Sequence, residues 1–346
     1  MPEPPRREYL FALPEPLCST MLAALCDTRD LPIAHLVGNV CLVTVPSALL
    51  VLLTNSHVLG LVHLVANTVL FLEPLLLALH YGTHRPVFRA PLANALLLHV
   101  LPVLFGIPPG LYRAHHVRMH HAEENAHPGD LSSTEPFQRD SALHFAVYWA
   151  RFAGALWLEL PLYVARTRGA AAGAACAARL VAAVVLARAA WSAAPVATLW
   201  CLLVPAAVAS VALAFGNWSQ HIFVRAHHHG SPFDITYSII ESPSNLRNFN
   251  DGFHAEHHHR PRLHWSELPA EYARLREQGV HDRIVFRGTS FFEVGLCVMR
   301  GDYDTLAARF VPMPGQGASR VEVEALLRAR LAPVRRGGLA KADKQL

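Results

Sequence analysis

Residues 59–84 read LGLVHLVANTVLFLEPLLLALHYGTH. Leu59 to Leu79 is an apolar run of the length that crosses a bilayer, where roughly 20 residues span the hydrocarbon core. The run leads directly into His80 and His84, four residues apart and therefore on one face of a continuing helix. A membrane helix that carries two imidazoles to its own end sets the frame for the rest of the chain. The same two signals, apolar runs and clustered histidines, recur on both sides of it.

Just before it, Leu31 to Thr54 is a second apolar run, separated by the short polar break Asn55, Ser56 and His57, so the two predict a transmembrane hairpin. Pro195 to Gly216 reads as a further span, and Ala170 to Trp191 as its partner, in which Arg179 and Arg188 must snorkel. Pro91 to Pro108 is interrupted by Pro102 and closed by Pro108, Pro109 and Gly110, which predicts a re-entrant or interfacial segment. Leu143 to Val164 holds Arg151 and Glu159 and reads as an amphipathic helix lying in the interface. The expectation is an all-α integral membrane protein with about four transmembrane helices and a cytosolic helical cap.

Composition agrees. Of 346 residues, 52% are hydrophobic and 16% charged, and the mean hydropathy is positive. Lys and Arg form no dense stripe that would track a phosphate backbone, so nucleic acid is not an expected partner. The six cysteines lack CxxC spacing and imply no disulfide framework. The first thirty residues carry Glu3, Glu8, Glu15, Asp27 and Asp30 among several prolines, unlike a secretory or transit leader, so the first apolar run is read as an uncleaved anchor.

Histidine is the anomaly, with twenty-two copies. Besides His80 and His84, residues 115–121 read HHVRMHH, in which His116 and His120 repeat the four-residue spacing and His121 follows at once. Residues 254–259 read HAEHHH, and His254, His257 and His258 have the i, i+3, i+4 pattern of a single helical face. Asn217 and His221 leave the last span four residues apart. Histidines that serve one site must share a side of the membrane, and four crossings place every cluster on one side. The opposite turns at 55–57 and 192–194 carry no Lys or Arg, so the positive-inside rule makes the histidine side, and both termini, cytosolic.

Nine histidines and one amide exceed the capacity of a single four- to six-coordinate ion. The count argues for two metals. Neutral imidazoles with few carboxylates nearby suit redox iron better than a hydrolytic zinc site.

HYGTH, HHVRMHH, NWSQH and HAEHH together resemble the histidine boxes and the Asn/His pair of the membrane fatty acid desaturase superfamily, over roughly residues 60–265. That superfamily also includes alkane hydroxylases and enzymes that modify sphingolipids and carotenoids. The resemblance implies a helical cap carrying a di-iron site, oxygen as oxidant, a lipid acyl chain as substrate, and electrons from a cytochrome b5 or a ferredoxin. It implies iron ligation by His80, His84, His116, His120, His121, His221, His254, His257 and His258, with Asn217 holding one iron through a water. The second box departs from the pattern, with HxxxHH where most desaturases show HxxHH. That spacing is closer to alkane hydroxylases and makes hydroxylation the alternative, while desaturation of a fatty acyl lipid, the common activity of the superfamily, is the expected reaction. An endoplasmic reticulum membrane is the expected location.

A metal transporter would place its ligands near the bilayer midplane, whereas these clusters sit at span ends, and a zinc protease would need HExxH, which does not occur. His227-His228-His229 lacks a spaced partner and reads as a solvated loop, while His115 and His259 read as neighbours of the ligands rather than ligands themselves. His127-Pro128-Gly129-Asp130 resembles the haem-binding HPGG of cytochrome b5 but lacks the second glycine and a surrounding domain. His35, His57, His63, His99, His144, His264 and His281 read as structural. Glu123, Glu124, Asp251 and Glu256 lie beside the boxes, where they would either accept from imidazole N–H groups or simply solvate a charged cap. The expected organisation is an N-terminal cytosolic segment at 1–30, a catalytic membrane domain at 31–265, and a cytosolic C-terminal region at 266–346, with helices at Ser266–Gln278 and Ser319–Leu331 and a flexible tail from Val334.

Overall fold

The computed structural model describes residues 10–11, 14–226, 231–279, 284–313 and 317–334; His227–His229, His281 and the tail beyond Val334 lie outside them. The chain is mostly helical, and among the described residues its only sheet pairs Ser238–Ile240 in parallel with Val285–Arg287. Among the described residues, four helices are long and apolar enough to cross a membrane: Thr28–Thr54, His57–His84, Ala170–Ala193 and Pro195–Gln220. Their outer faces expose large apolar side chains such as Leu53, Val58, Val69 and Leu186, a surface suited to lipid.

The turns of the two hairpins follow from local chemistry. Asn55 closes the first helix in the left-handed conformation, which Asn tolerates better than most residues, and Ser56 caps the next helix by accepting from the Leu59 N–H. Ala194 ends the third span and Pro195 begins the fourth, where its missing N–H costs no helical hydrogen bond. Pro91–Phe105 is an apolar helix too short to cross, as a re-entrant segment should be. It stops at Gly106, whose positive φ suits glycine and whose Cα so nearly meets the Ala206 backbone of the fourth span that no side chain would fit.

Ala142–Arg168, the helix read as in-plane, packs against the third span, where Gly173 lies close to Pro161 and Ala165, and also runs beside the 115–132 stretch. Tyr148 donates to the Ser132 carbonyl (3.3 Å), Arg151 to that of Leu131 (3.1 Å), Phe152 meets the His115 ring edge-on, and Tyr163 donates to Glu123 (2.8 Å). It covers the second histidine cluster along that cluster's length.

The cap is fastened to the spans by buried polar groups. Asp30 accepts from Trp265 (2.9 Å) and from His264 (3.0 Å), tying the start of the first span to the chain just after the third cluster. His264 is thus structural, as is His63, whose Nδ1 lies 2.8 Å from the Ser47 hydroxyl. The buried guanidinium of Arg139 donates to the carbonyls of Ile222, Arg330 and Ala332, joining the end of the fourth span to the C-terminal helix. That helix, Arg320–Ala329, opens with a capping box between Ser319 and Glu322. The other expected C-terminal helix forms as Leu268–Glu277, preceded by a 3₁₀ turn that His264, not Ser266, caps. Val294, Leu306 and Leu327 share a core with Tyr148 and Trp218, so the C-terminal region packs directly onto the membrane body.

Candidate metal centre

His80 and His84 occupy the last turns of the helix that forms the second span. The second cluster follows the re-entrant segment, and its local structure departs from an α-helix. Leu111–His115 is α-helical, His116–His120 is a π-turn, and helix resumes at His121. A π-turn closes i to i+5, one residue more than an α-turn. His121 Nε2 therefore comes within 3.1 Å of His116 Nε2, while the His120 ring stacks on that of His116 with centroids 5.5 Å apart. The third cluster is the short helix His254–His259, and His221 directly follows the fourth span.

These elements bring the nine expected imidazoles into two neighbouring groups, each with its ring nitrogens within 4.8 Å of one another. His80, His84, His116, His121 and His257 form one, and His120, His221, His254 and His258 the other. The His121 and His258 rings stack with centroids 4.5 Å apart, so the groups adjoin. Two spacing arguments are corrected by this arrangement. His116 and His120, paired by their four-residue separation, go to different groups because of the π-turn. The third cluster is also divided, with His254 and His258 in one group and His257 in the other.

The donor set suits cations. In the first group the Nε2 atoms form a connected chain, with separations of 2.7 Å for His80 to His257, 3.0 Å for His257 to His121, and 3.1 Å for both His121 to His116 and His116 to His84. In the second, His221 Nε2 and both nitrogens of His254 and of His258 are buried without a hydrogen-bond partner. Buried polar atoms ordinarily find one, so such convergence is a feature that metal ions would satisfy. Burial, reinforced by neighbouring imidazoles, holds His116, His121, His221, His257 and His258 far below the ordinary histidine value and takes His254 down to about 3. The rings stay neutral near pH 7 and keep a lone pair for a ligand role.

Outside the groups, acceptors orient individual rings. His120 donates through Nδ1 to Asp130 (2.8 Å) and His221 through Nδ1 to the Ile235 carbonyl (3.0 Å), which leaves each Nε2 as the free donor atom. Burial would push the Asp130 carboxyl up, yet the facing His120 and His115 hold it well below the carboxylate range. Asp130 was not among the expected acceptors. It belongs to the 127–130 motif, in which His127 attracted the reading but joins neither group. Of the acidic residues that were expected, Asp251 lies 3.7 Å from His254 Nδ1, Glu123 accepts from Tyr163, and Glu256 accepts from Ser238.

The Asn217 amide donates to the Ser132 carbonyl (3.0 Å) and the Tyr148 hydroxyl (2.8 Å). His115 and His259 stand apart from both groups, facing Asp130 at 3.8 Å and Glu271 at 3.9 Å. A cavity of about 520 Å³ reaches His80, His116, His120 and His254, with Asn217 in its wall and Leu72, Leu76, Leu111, Phe152 and Leu213 supplying apolar surface. It could seat an extended hydrocarbon segment against the histidines.

A family model described as fatty acid desaturase matches residues 54–290, well over half of the chain and all of the histidine groups. Comparison with curated proteins and with solved structures yields no match.

Proposed function

The chain belongs to the fatty acid desaturase family, and on that premise we propose that it is a membrane-bound fatty acyl lipid desaturase with two iron ions, one at each histidine group. The family makes it an oxidoreductase of lipids that uses oxygen. The observation that carries the finer reading is the division of nine imidazoles into adjoining sets of five and four. Bound iron would supply oxygen activation and removal of hydrogen from an unactivated carbon.

The chain's own part is positional. His80, His84, His116, His121 and His257 would hold one ion, and His120, His221, His254 and His258 the other. Asn217, its amide nitrogen engaged by Ser132 and Tyr148, would offer its oxygen to the second site through a water. Asp130 and the Ile235 carbonyl hold the ring protons of His120 and His221 at Nδ1. Leu76, Leu111 and Phe152 exclude water and align the chain, and small changes in that alignment decide which hydrogens are within reach. A cytochrome b5 or ferredoxin is the proposed electron donor, and the proposed setting is the endoplasmic reticulum with the centre and both termini cytosolic, supported by the absence of Lys and Arg from the turns at 55–57 and 192–194.

One observation favours hydroxylation instead, the HxxxHH spacing of residues 116–121. Both outcomes start from removal of one hydrogen, so oxygen labelling separates them. Lipids from cells expressing the protein under heavy oxygen gas should gain an unlabelled double bond, and the purified protein should contain two irons. A labelled alcohol as main product would replace desaturase by hydroxylase, and one zinc without iron would remove both.

A further inference from the structure

The third span carries an arginine that no carboxylate of the described chain offsets. Arg179 lies nine residues into Ala170–Ala193, about 14 Å along the helix axis, and its side chain is exposed. Such a charge is costly in lipid and is kept where it meets a polar surface or an anion. The span packs here against Leu111–His115, and the guanidinium folds over Gly110. A β-carbon placed on that glycine would stand 3.1 Å from Arg179 Nη1 and 3.6 Å from Cε1 of His99, which belongs to the re-entrant segment.

More positive charge gathers at the same place. Arg113 follows Gly110 by three residues, and its charge reaches His99 as that of Arg179 does. The charges of Arg118 and Arg179 both reach Cys176 of the third span. Among the described residues, no carboxylate lies within ion-pair distance of Arg113, Arg118 or Arg179, and none of the three donates a side-chain hydrogen bond. Other arginines are engaged: Arg85 by Asp27 and Asp30, Arg151 by Glu159, and Arg247 by the carbonyls of Val69 and Leu70.

Neighbouring guanidinium groups without an acid suit a phosphate, which accepts several charge-assisted hydrogen bonds at once. The surroundings suit a phosphate that carries hydrocarbon. Val100 beside His99, and Val181, Val184 and Val185 beyond Arg179 on the third span, are exposed apolar side chains along which acyl chains can lie. A soluble phosphate would leave that surface unused. Basic pockets between membrane helices are seats of anionic lipid headgroups.

We propose that Arg113, Arg118 and Arg179, with His99, bind the phosphate of an anionic membrane phospholipid lodged between the third span and the re-entrant segment. None of the four residues lines the cavity at the histidines, so the site is separate from it. Arg113 and Arg118 sit on the helical stretch that delivers the second histidine cluster. The bound lipid therefore fastens that stretch to the third span from outside.

Native mass spectrometry of the full-length protein in detergent reads lipid binding without turnover. Phosphatidylglycerol should bind about tenfold more tightly than phosphatidylcholine of the same acyl chains, and excess inorganic phosphate or coenzyme A should not displace it. Arg113→Gln and Arg179→Gln should each weaken phosphatidylglycerol about fivefold, the worth of one arginine near a membrane surface. Unchanged phosphatidylcholine binding reports that these variants are folded. Arg188→Gln, at an exposed arginine further along the same span, should change neither affinity. Equal binding of the two lipids or displacement by soluble phosphate would overturn the assignment. So would a loss in Arg188→Gln as large as in Arg179→Gln, which would show general charge attraction in place of a site. Metal content and oxidised product do not enter the measurement, so failure of the desaturase reading leaves it intact.

Discussion

Asp130 would serve the proposed metal centre without touching a metal. Its carboxylate is fully buried and accepts from His120 Nδ1 (2.8 Å), the Ser132 N–H (2.8 Å) and the Ser132 hydroxyl (2.7 Å). The serine holds the carboxylate in place, and the carboxylate fixes which His120 nitrogen bears the proton. Asp130→Asn keeps the shape and removes the charge, so metal affinity of the purified protein in chelator competition should fall about 10- to 100-fold, the usual cost of losing such an orienting partner. His259→Ala, at a half-exposed ring outside both groups, should leave that affinity unchanged. Equal effects from the two would remove Asp130 from the centre. In the sequence an acid beside a histidine cluster is as well explained by solvation as by orientation, and Asp130 stands out only through its burial.

At the scale of the element, the π-turn at His116–His120 carries the most consequence. It amounts to one extra residue in a helix, and it lets HxxxHH deliver His116 and His121 to one group and His120 to the other. Deleting Val117, a half-buried residue in that turn, should relax it to an α-turn in which the former His116 and His121 are four apart and again share a face. Metal content should then stay near that of the unaltered protein, whereas inserting an alanine after Val117 should lower it by at least half. Elemental analysis of the two purified variants checks this, and loss of metal on deletion would show that the π-turn is itself required. The helices at 111–123 and 254–259 were legible from histidine spacing. Their division between two groups was not, because the i, i+4 rule assumes an unbroken α-helix.

For the whole molecule, convergence of all nine imidazoles requires the ends of the second and fourth spans that carry them to lie at the same end of the bundle. The covering helix at 142–168 and the Arg139 bonds to Ile222, Arg330 and Ala332 then place the 122–139 stretch and the C-terminal helix at that end too. With the six native cysteines replaced, Ala122→Cys and Val321→Cys, both exposed, should react with a membrane-impermeant thiol reagent in sealed microsomes whose cytosolic face is outward. Asn55→Cys, at the turn of the first hairpin, should react only after those microsomes are opened. Labelling of Ala122→Cys and Val321→Cys from different sides would break the single-centre arrangement.

Taken alone, the sequence determined that the chain is a helical membrane protein with four spans and which nine histidines belong together. Hydropathy over some twenty residues and the clustering of one residue type are local properties, written in consecutive positions. The tertiary structure alone decided that the histidines divide five and four, and that Asp130 rather than His127 faces a histidine of these groups in the 127–130 motif. Each of these depends on contacts between residues far apart in the chain, or on one π-turn that shifts the phase of a helix. Local pattern records neither, because burial and direction are set only when the elements pack.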